Sequence, residues 1–92
     1  MGRLKKEKTK KVKFSLNAPE AKKVALAGNF NKWNHTKTEL KKNQNKVWVK
    51  ELLLKPGRYE YKFVVDGNWI ADPKNSNMAL NSFGTQNSVT EV

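Results

Sequence analysis

Two tryptophans lie in polar segments where a hydrophobic core would not require them. Trp33 belongs to the segment Gly28-Asn-Phe-Asn-Lys-Trp-Asn34, and Trp69 follows the turn Asp66-Gly67 closely. An indole has a flat apolar face that can stack on a sugar ring, and neighbouring Asn and Lys side chains can hydrogen-bond sugar hydroxyls. These residues favour binding of a polar ligand over chemical catalysis.

The chain lacks the residues on which catalytic and metal-binding sites usually depend. There is no cysteine and one histidine, His35, which excludes thiol nucleophiles and leaves a metal cluster or a Ser-His-Asp arrangement incomplete. Glycoside hydrolysis needs two carboxylates roughly 5 to 9 Å apart in a cleft. No such pair is evident, because Asp66 belongs to a turn and Asp72 precedes Pro73 at the start of a loop. We expect no enzyme activity, no catalytic or metal-binding residues and no cofactor.

Apolar residues repeat with a period of two along most of the chain, which is typical of half-buried strands. Turn residues separate these short segments at intervals that suit an all-β sandwich or barrel. Helices are hard to place. Strands are predicted at residues 12–16, 23–27, 38–41, 47–54 and 58–65. The segment 38–41 is expected to pair with 47–54 across a polar turn.

The segment 58–65 is the most informative of these strands. Its alternation places Tyr59, Tyr61, Phe63 and Val65 on one face and Arg58, Glu60, Lys62 and Val64 on the other. The aromatic face is predicted to be the core face, so Lys62 points outward. Asp66-Gly67 predicts a two-residue hairpin that pairs Val64 with Trp69 and Phe63 with Ile70. Ile70 would then join the core, and Trp69 would lie outside beside Lys62.

The remaining large apolar residues are assigned to packing. Trp48 alternates with valines in a strand that is apolar on both faces near its end, so it is predicted to be a core residue. Phe30 is predicted to anchor the Asn-rich loop to the sandwich. Leu52, Leu53 and Leu54 are consecutive, so one of them is expected to be exposed and available for a partner contact.

The net charge of +11 over 92 residues is unevenly distributed. Seven basic residues against Glu7 leave the first 13 residues with a charge of +6. We predict a basic, disordered N-terminal arm at residues 1–11 and a single domain at 12–92. Phosphate binding by the arm is the alternative. The chain has no apolar run of about 20 residues for a membrane span, and its basic N-terminus is not followed by the apolar segment of a signal peptide. A soluble, cytoplasmic protein without membrane partners is expected.

Several motifs in combination resemble a known family. They are Gly28-Asn-Phe-Asn-Lys-Trp33-Asn, Pro56-Gly-Arg-Tyr-Glu-Tyr-Lys-Phe-Val-Val-Asp-Gly-Asn-Trp69, Asp72-Pro73 and Phe83-Gly-Thr-Gln-Asn87. Together they resemble the glycogen-binding module of the AMP-activated protein kinase β subunit. That module belongs to carbohydrate-binding module family 48, with the N-terminal early-set domains of isoamylases and glycogen branching enzymes. The resemblance implies an immunoglobulin-like β-sandwich of about seven or eight strands.

The resemblance also implies a site for α-1,4-linked glucans. Trp33 and Trp69 match the two stacking tryptophans, and Lys62 matches a lysine that hydrogen-bonds sugar hydroxyls. Thr85 and Asn87 match a threonine and an asparagine of the module. Phe83 departs from the pattern, because it falls where the kinase module has a leucine that protrudes through the ring of a cyclic glucan. The larger, flat aromatic ring implies stacking on a glucan instead of threading a cyclic one.

Two other function classes are compatible with the sequence. A basic β domain with exposed aromatic residues also describes binders of single-stranded nucleic acid, but the domain has one arginine, Arg58, and its exposed aromatics lie among Asn and Thr. A salt titration separates these classes, since phosphate binding weakens steeply with salt. The second alternative is a protein-interaction module that tethers a kinase or a glucan-metabolising enzyme and does not use the Trp33 and Trp69 surface.

Overall fold

The computed structural model describes residues 8–92, so residues 1–7 of the predicted N-terminal arm lie outside the described part of the chain. Eight strands and one short 3₁₀ helix, His35–Lys37, are present in that range. The strands are β1 (Lys10–Leu16), β2 (Val24–Gly28), β3 (Lys41–Lys42), β4 (Trp48–Leu54), β5 (Arg58–Val65), β6 (Asn68–Ile70), β7 (Met78–Leu80) and β8 (Gln86–Glu91). No helix in this range has the length and hydropathy needed to cross a membrane.

The strands form the two antiparallel sheets of an immunoglobulin-like sandwich, which confirms the predicted all-β fold. The smaller sheet has the order β1-β4-β3. The larger sheet has the order β2-β5-β8-β7, with β6 paired to β5. Apolar side chains of both sheets pack between them, with Phe14, Trp48 and Phe63 among the buried residues. The predicted packing role of Trp48 is confirmed, and its indole Nε1 donates to the Ala18 carbonyl at 2.9 Å.

Strand β5 has the two faces that its alternation predicts. Tyr61 and Phe63 are buried in the core, and Tyr59 packs against it. The Asp66-Gly67 hairpin has the predicted register, with Val64 opposite Trp69. Ile70 is opposite Phe63 as expected, but its predicted burial is wrong, because it remains 38% exposed. Strand β6 pairs with β5 alone and the smaller sheet has three strands, so Ile70 lies outside the packed interface.

The segment between the 3₁₀ helix and β4 changes sheets. Glu39 forms a bridge with Ala25 of the larger sheet, whereas Lys41 pairs with Val49 of the smaller one. The prediction that the whole segment 38–41 pairs with 47–54 is therefore wrong for its first half. Leu40, between these two attachments, is buried in the core, and its amide donates to the Val24 carbonyl.

Strand β1 begins two residues earlier than predicted. Lys10 and Lys11, which the sequence assigned to the basic arm, are strand residues paired with Leu54 and Leu53. Cross-strand hydrogen bonding to β4 extends the strand beyond the apolar alternation that starts at Val12. Leu53 is 67% exposed, as expected for one of the three consecutive leucines.

Candidate functional site

Trp33 of the loop after β2 and Trp69 of β6 lie on the outer face of the larger sheet, which is the face turned away from the core. Ala25, Ala27 and Val64 form a small buried cluster on this face, and the half-buried Trp33 packs against it. Trp69 is the cross-strand partner of Val64. Both indoles therefore lie next to this cluster, and Trp69 keeps 45% of its surface exposed. The prediction that Trp69 lies outside the core is confirmed.

Asn31 organises the loop that presents Trp33. Its Oδ1 accepts from the Gly28 amide at 3.0 Å. Its Nδ2 donates to the Leu26 carbonyl and to Thr38 Oγ1, each at 3.0 Å. The loop needs this support, because Trp33 adopts a left-handed backbone with φ of 61°, which is costly for a bulky residue. The side-chain amide of Asn31 thus fixes where the Trp33 indole lies.

Two further features fix the same loop. A Cβ at Gly28 would lie 2.6 Å from the Glu60 carbonyl oxygen, so only glycine allows this approach of β2 to β5. The Phe30 ring packs against the core, with its centroid 5.7 Å from that of Phe14. This contact confirms the predicted anchoring role of Phe30.

Trp69 has an aromatic neighbour that the sequence did not reveal. The His35 ring meets the Trp69 indole edge to face, with centroids 5.6 Å apart and planes at 86°. His35 opens the 3₁₀ helix, which begins where Asn34 Oδ1 accepts from the Thr36 amide. The helix that follows the Trp33 loop therefore also holds the second indole.

A polar network continues along the same face toward the β7–β8 turn. Lys62 Nζ donates to Thr85 Oγ1 at 2.9 Å. Asn81 Nδ2 donates to Thr85 Oγ1 at 2.7 Å and to Asn87 Oδ1 at 3.2 Å. Asn87 Nδ2 in turn donates to Glu60 Oε1 at 3.0 Å. Three of the predicted site residues, Lys62, Thr85 and Asn87, are thus joined through Asn81.

Glu60 is the last residue of this network, and its carboxyl group is ionised. The hydrogen bond from Asn87 and the one from Arg58, whose Nη1 lies 2.7 Å from Glu60 Oε2, hold the pKa of Glu60 below its ordinary value. Asn87 is only 5% exposed, so its amide geometry is fixed by these neighbours. The network therefore holds Asn87 and Glu60 in place, and Lys62 and Thr85 lie on its outer side.

Phe83 occupies the tip of the β7–β8 turn. Asn81 Oδ1 accepts from the amides of Phe83 and Thr85, and Gly84 supplies the left-handed φ of 84° that the turn requires. The Phe83 side chain is 88% exposed. A ring held this far into solvent is available for a ligand and contributes little to the fold.

Asp66 and Asp72, next to the turns of this sheet, are engaged in structural contacts. Asp66 accepts from the Lys22 and Lys23 amides, which ties the β5–β6 turn to the start of β2. Asp72 accepts from the Tyr61 hydroxyl at 2.7 Å and from the Lys74 amide. Burial raises the pKa of Tyr61, so its hydroxyl stays protonated and continues to donate to Asp72. Residues 8–92 contain no group of His, Cys, Asp and Glu that could hold a metal ion.

The structure brings the predicted site residues onto one side of the larger sheet. Trp33 packs against the cluster that contains Val64, the strand partner of Trp69, while Lys62 bonds Thr85 and Asn81 links Thr85 to Asn87. Sequence reasoning missed Asn31 and Asn81, and it placed His35 in a loop at the rim of the sugar site without predicting its contact with Trp69. The first two begin loop segments and bond backbone amides two to four residues away, which is the ordinary turn chemistry of asparagine.

Three comparisons with known proteins agree on the kind of domain. Residues 10–92 match the family described as the glycogen recognition site of AMP-activated protein kinase. The chain is 39% identical over 71 residues to the 5'-AMP-activated protein kinase subunit beta-1 of Rattus norvegicus, covering 77% of this chain and 25% of that subunit. It is 47% identical over 53 residues to Protein PTST homolog 2, chloroplastic, of Arabidopsis thaliana, covering 58% of this chain and 10% of that protein.

A solved structure has the same fold. The maltogenic amylase from S. marinus superposes with a TM-score of 0.74 and 27% sequence identity, covering 89% of this chain and 13% of the amylase chain. The present chain therefore spans a quarter or less of each of these three proteins.

Proposed function

Since the chain belongs to the family of the glycogen recognition site of AMP-activated protein kinase, a carbohydrate-recognition family, we propose that it binds α-1,4-linked glucans without catalysis. Glycogen, starch and malto-oligosaccharides are the ligands of this class. The observation that carries the proposal is that Trp33 and Trp69 both lie next to one small cluster on the outer face, in which Val64 is the strand partner of Trp69. Two indoles held on one exposed face, one by its own loop and one by the β5–β6 hairpin and His35, suit successive rings of a curved polysaccharide better than a flat β-linked chain.

Stacking supplies most of the proposed affinity. An indole face that covers roughly 60 to 100 Å² of sugar contributes about 1.5 to 2.5 kcal/mol, before the cost of ordering the ligand. Trp33 and Trp69 together therefore contribute about 3 to 5 kcal/mol, which alone corresponds to dissociation constants on the order of millimolar, and hydrogen bonds to the sugar extend the expected range toward micromolar. Affinity should rise with glucan length as further rings reach the surface.

Hydrogen bonds from the polar network add direction to this stacking. Lys62 Nζ uses one of its donors on Thr85, which leaves further hydrogens for sugar hydroxyls. Asn87 has one amide hydrogen and one carbonyl lone pair beyond its bonds to Glu60 and Asn81. A ligand without matching hydroxyls would leave these groups unpaired, which costs more than a made bond contributes.

Phe83 sets the proposed preference for ligand shape. Its exposed ring stands at the turn beside Thr85, where the family module it resembles carries a leucine that threads a cyclic glucan. A flat ring cannot enter a closed sugar ring as a narrow side chain does, but it can stack on an open one. We therefore assign Phe83 a stacking role that favours linear glucans over cyclic ones.

The same contacts support a binding role without hydrolysis. Asp66 and Asp72 are engaged by backbone amides and a buried tyrosine, and Glu60 is engaged by Arg58 and Asn87. In a longer protein, such a module would carry an attached kinase or glucan-active enzyme to its polysaccharide. Its relatives include kinase subunits, so tethering is the use we propose for the glucan contact.

A titration of the ¹⁵N-labelled chain with maltoheptaose tests the proposal. We expect shifts at Trp33, Lys62, Trp69, Phe83 and Thr85 that do not depend on salt. Trp33→Ala and Trp69→Ala should each weaken binding about 10- to 70-fold, in proportion to the lost stacking area. Leu53→Ala removes an exposed apolar side chain from the opposite sheet and should leave the affinity unchanged.

Cellohexaose serves as the ligand control, because its β-linkages make a flat chain. Equal binding of both sugars would contradict the assignment to α-linked glucans. If maltoheptaose moves no signal at millimolar concentration while the protein stays folded, the glucan proposal is wrong and the protein-interaction alternative takes its place. Binding of single-stranded RNA that weakens steeply with salt would instead identify a nucleic-acid site.

A further inference from the structure

The outer face of the smaller sheet has a composition unlike that of the larger sheet. Strand alternation and the pairing of β1 with β4 and of β3 with β4 place on it Lys11, Lys13, Lys41, Val49, Glu51 and Leu53, which we call the lysine face. It lies on the opposite side of the sandwich from Trp33 and Trp69. The proposed glucan site therefore makes no use of it.

Positive charge on the lysine face is incompletely neutralised. Glu51 lies 4.0 Å from Lys11 Nζ, and the adjacent Glu39 is paired with Lys23 at 3.2 Å. Among residues 8–92, Lys13 and Lys41 form no ion pair, and they line a shallow groove of about 450 Å³ over Val49 together with Lys50, Glu39 and Glu51. The three lysines of the groove outnumber its two carboxylates, and Lys11 adds a further positive charge beside Glu51, so the face keeps a net positive charge that attracts an anionic partner.

Strand β1 gives this face a backbone edge. It is the outermost strand of the smaller sheet and, within the described residues, pairs only with β4. An edge strand offers a row of N–H and C=O groups to which an extended segment can add. Lysines on such an edge discourage pairing between two copies of the same basic chain, because like charges would lie opposite each other. The same lysines favour a segment of opposite charge.

We propose that β1 and the lysine face bind an extended acidic segment of another protein by strand addition. Lys11 and Lys13 are two residues apart on one face, so the segment they select carries carboxylates at alternating positions. Leu53 is 67% exposed beside Lys11 and supplies an apolar contact between these charges. The lysine face has no aromatic or arginine side chain on which a nucleic acid would rely, which favours a protein partner.

A synthetic peptide of about ten residues, with Glu alternating with Val or Thr, is the probe for this site. Titrated into the ¹⁵N-labelled full chain, it should shift the amides from Lys10 to Phe14 and slow hydrogen exchange of some of them. Lys13→Gln should weaken the peptide about two- to five-fold. Lys46→Gln, the same charge change at the exposed β3–β4 turn, should have no effect.

A second peptide of identical composition, with all carboxylates clustered at one end, separates strand addition from general attraction between charges. Equal binding of the two peptides, with shifts at lysines over the whole surface and unchanged exchange in β1, would overturn the proposal. So would single-stranded RNA that binds the lysine face more tightly than the alternating peptide, or the absence of any shift in β1. Maltoheptaose binding is read in the same samples, and its outcome does not affect this test.

Discussion

Replacing Asn31 with alanine should damage both the stability of the domain and the Trp33 surface. The side chain makes three hydrogen bonds, one from the Gly28 amide and two to Leu26 and Thr38. With each bond worth about 0.5 to 1.5 kcal/mol net, we expect a loss of about 2 to 4 kcal/mol in the free energy of unfolding. In a domain of this size, such a loss lowers Tm on the order of 10 to 20 °C.

The same substitution should release the Trp33 backbone from its left-handed conformation. Lys32 and Trp33 have φ values of 57° and 61°, and holding two non-glycine residues there costs about 1 kcal/mol or more each. Without Asn31 the loop keeps the Phe30 contact and the bond from the Trp33 amide to the Gly28 carbonyl, but it loses its three side-chain hydrogen bonds. We therefore expect maltoheptaose affinity to fall about tenfold or more in Asn31→Ala, and less in Asn31→Asp, which keeps the acceptor for the Gly28 amide.

Urea denaturation followed by circular dichroism gives the stability change, and the sugar titration gives the affinity. Asn43→Ala is the matched control, because Asn43 Oδ1 accepts from the Asn45 and Val47 amides in a turn remote from both indoles. It should lose about 1 to 2 kcal/mol of stability and no affinity. If Asn31→Ala proves no more harmful than Asn43→Ala and keeps full affinity, the reasoning about the Trp33 loop is refuted.

Three further predictions follow from contacts of the larger sheet. His35→Ala should broaden or shift the Trp69 indole signal and weaken maltoheptaose about two- to fivefold, because the edge-to-face partner is lost. Tyr61→Phe should cost about 1 to 3 kcal/mol in urea denaturation, since it leaves the Asp72 carboxylate buried without its strongest donor. The pKa of Glu60 is lowered in the folded protein, so its ionised form stabilises the fold at pH values above the ordinary glutamate pKa. This stabilisation is lost as the pH falls through the folded-state pKa. The free energy of unfolding of Glu60→Gln should therefore depend less on pH in the acid range.

Each of these predictions has a control in the chain. His35→Phe keeps a ring edge against Trp69 and should retain most of the affinity. Tyr59→Phe removes a hydroxyl that donates to the exposed Lys55 carbonyl, so its cost should be much smaller than that of Tyr61→Phe. Equal costs for the two tyrosines would contradict the role given to burial. An unchanged pH dependence of Glu60→Gln in the acid range would show that its hydrogen bonds do not favour the ionised form.

Much of the fold follows from local rules that the sequence makes visible. The Asp66-Gly67 turn fixes the register of β5 and β6, and the alternation of β5 fixes which side is the core. The error at Ile70 shows where such rules stop. Pairing opposite a core residue places a side chain on the core face, but burial also needs a covering strand from the other sheet. How far that sheet extends is a long-range property, and alternation does not report it.

The site was less accessible to reasoning from residues alone. The exposure of Trp69 follows from its hairpin. The position of Trp33 depends instead on Ala25, eight residues earlier in the chain, which pairs with Val64 and belongs to the cluster against which Trp33 packs. Asn31 and Asn81 make hydrogen bonds to groups that come within reach only once the loop has folded. His35 reaches Trp69 only because the 3₁₀ helix packs against β2. None of these contacts has a periodic signature.

The change of sheet at Leu40 has a kinetic consequence for the Trp33 loop. The segment that leaves this loop is bonded to β2 through Thr38 and Leu40, and from the next residue, Lys41, it is paired with β4. Opening the loop from this end would therefore require both sheets to separate. Amides of Leu26 and Leu40 should exchange with solvent at the rate of global unfolding, not through a local fluctuation. A ligand then meets a surface that is already formed, so association involves no closing motion and dissociation is set by the contacts alone.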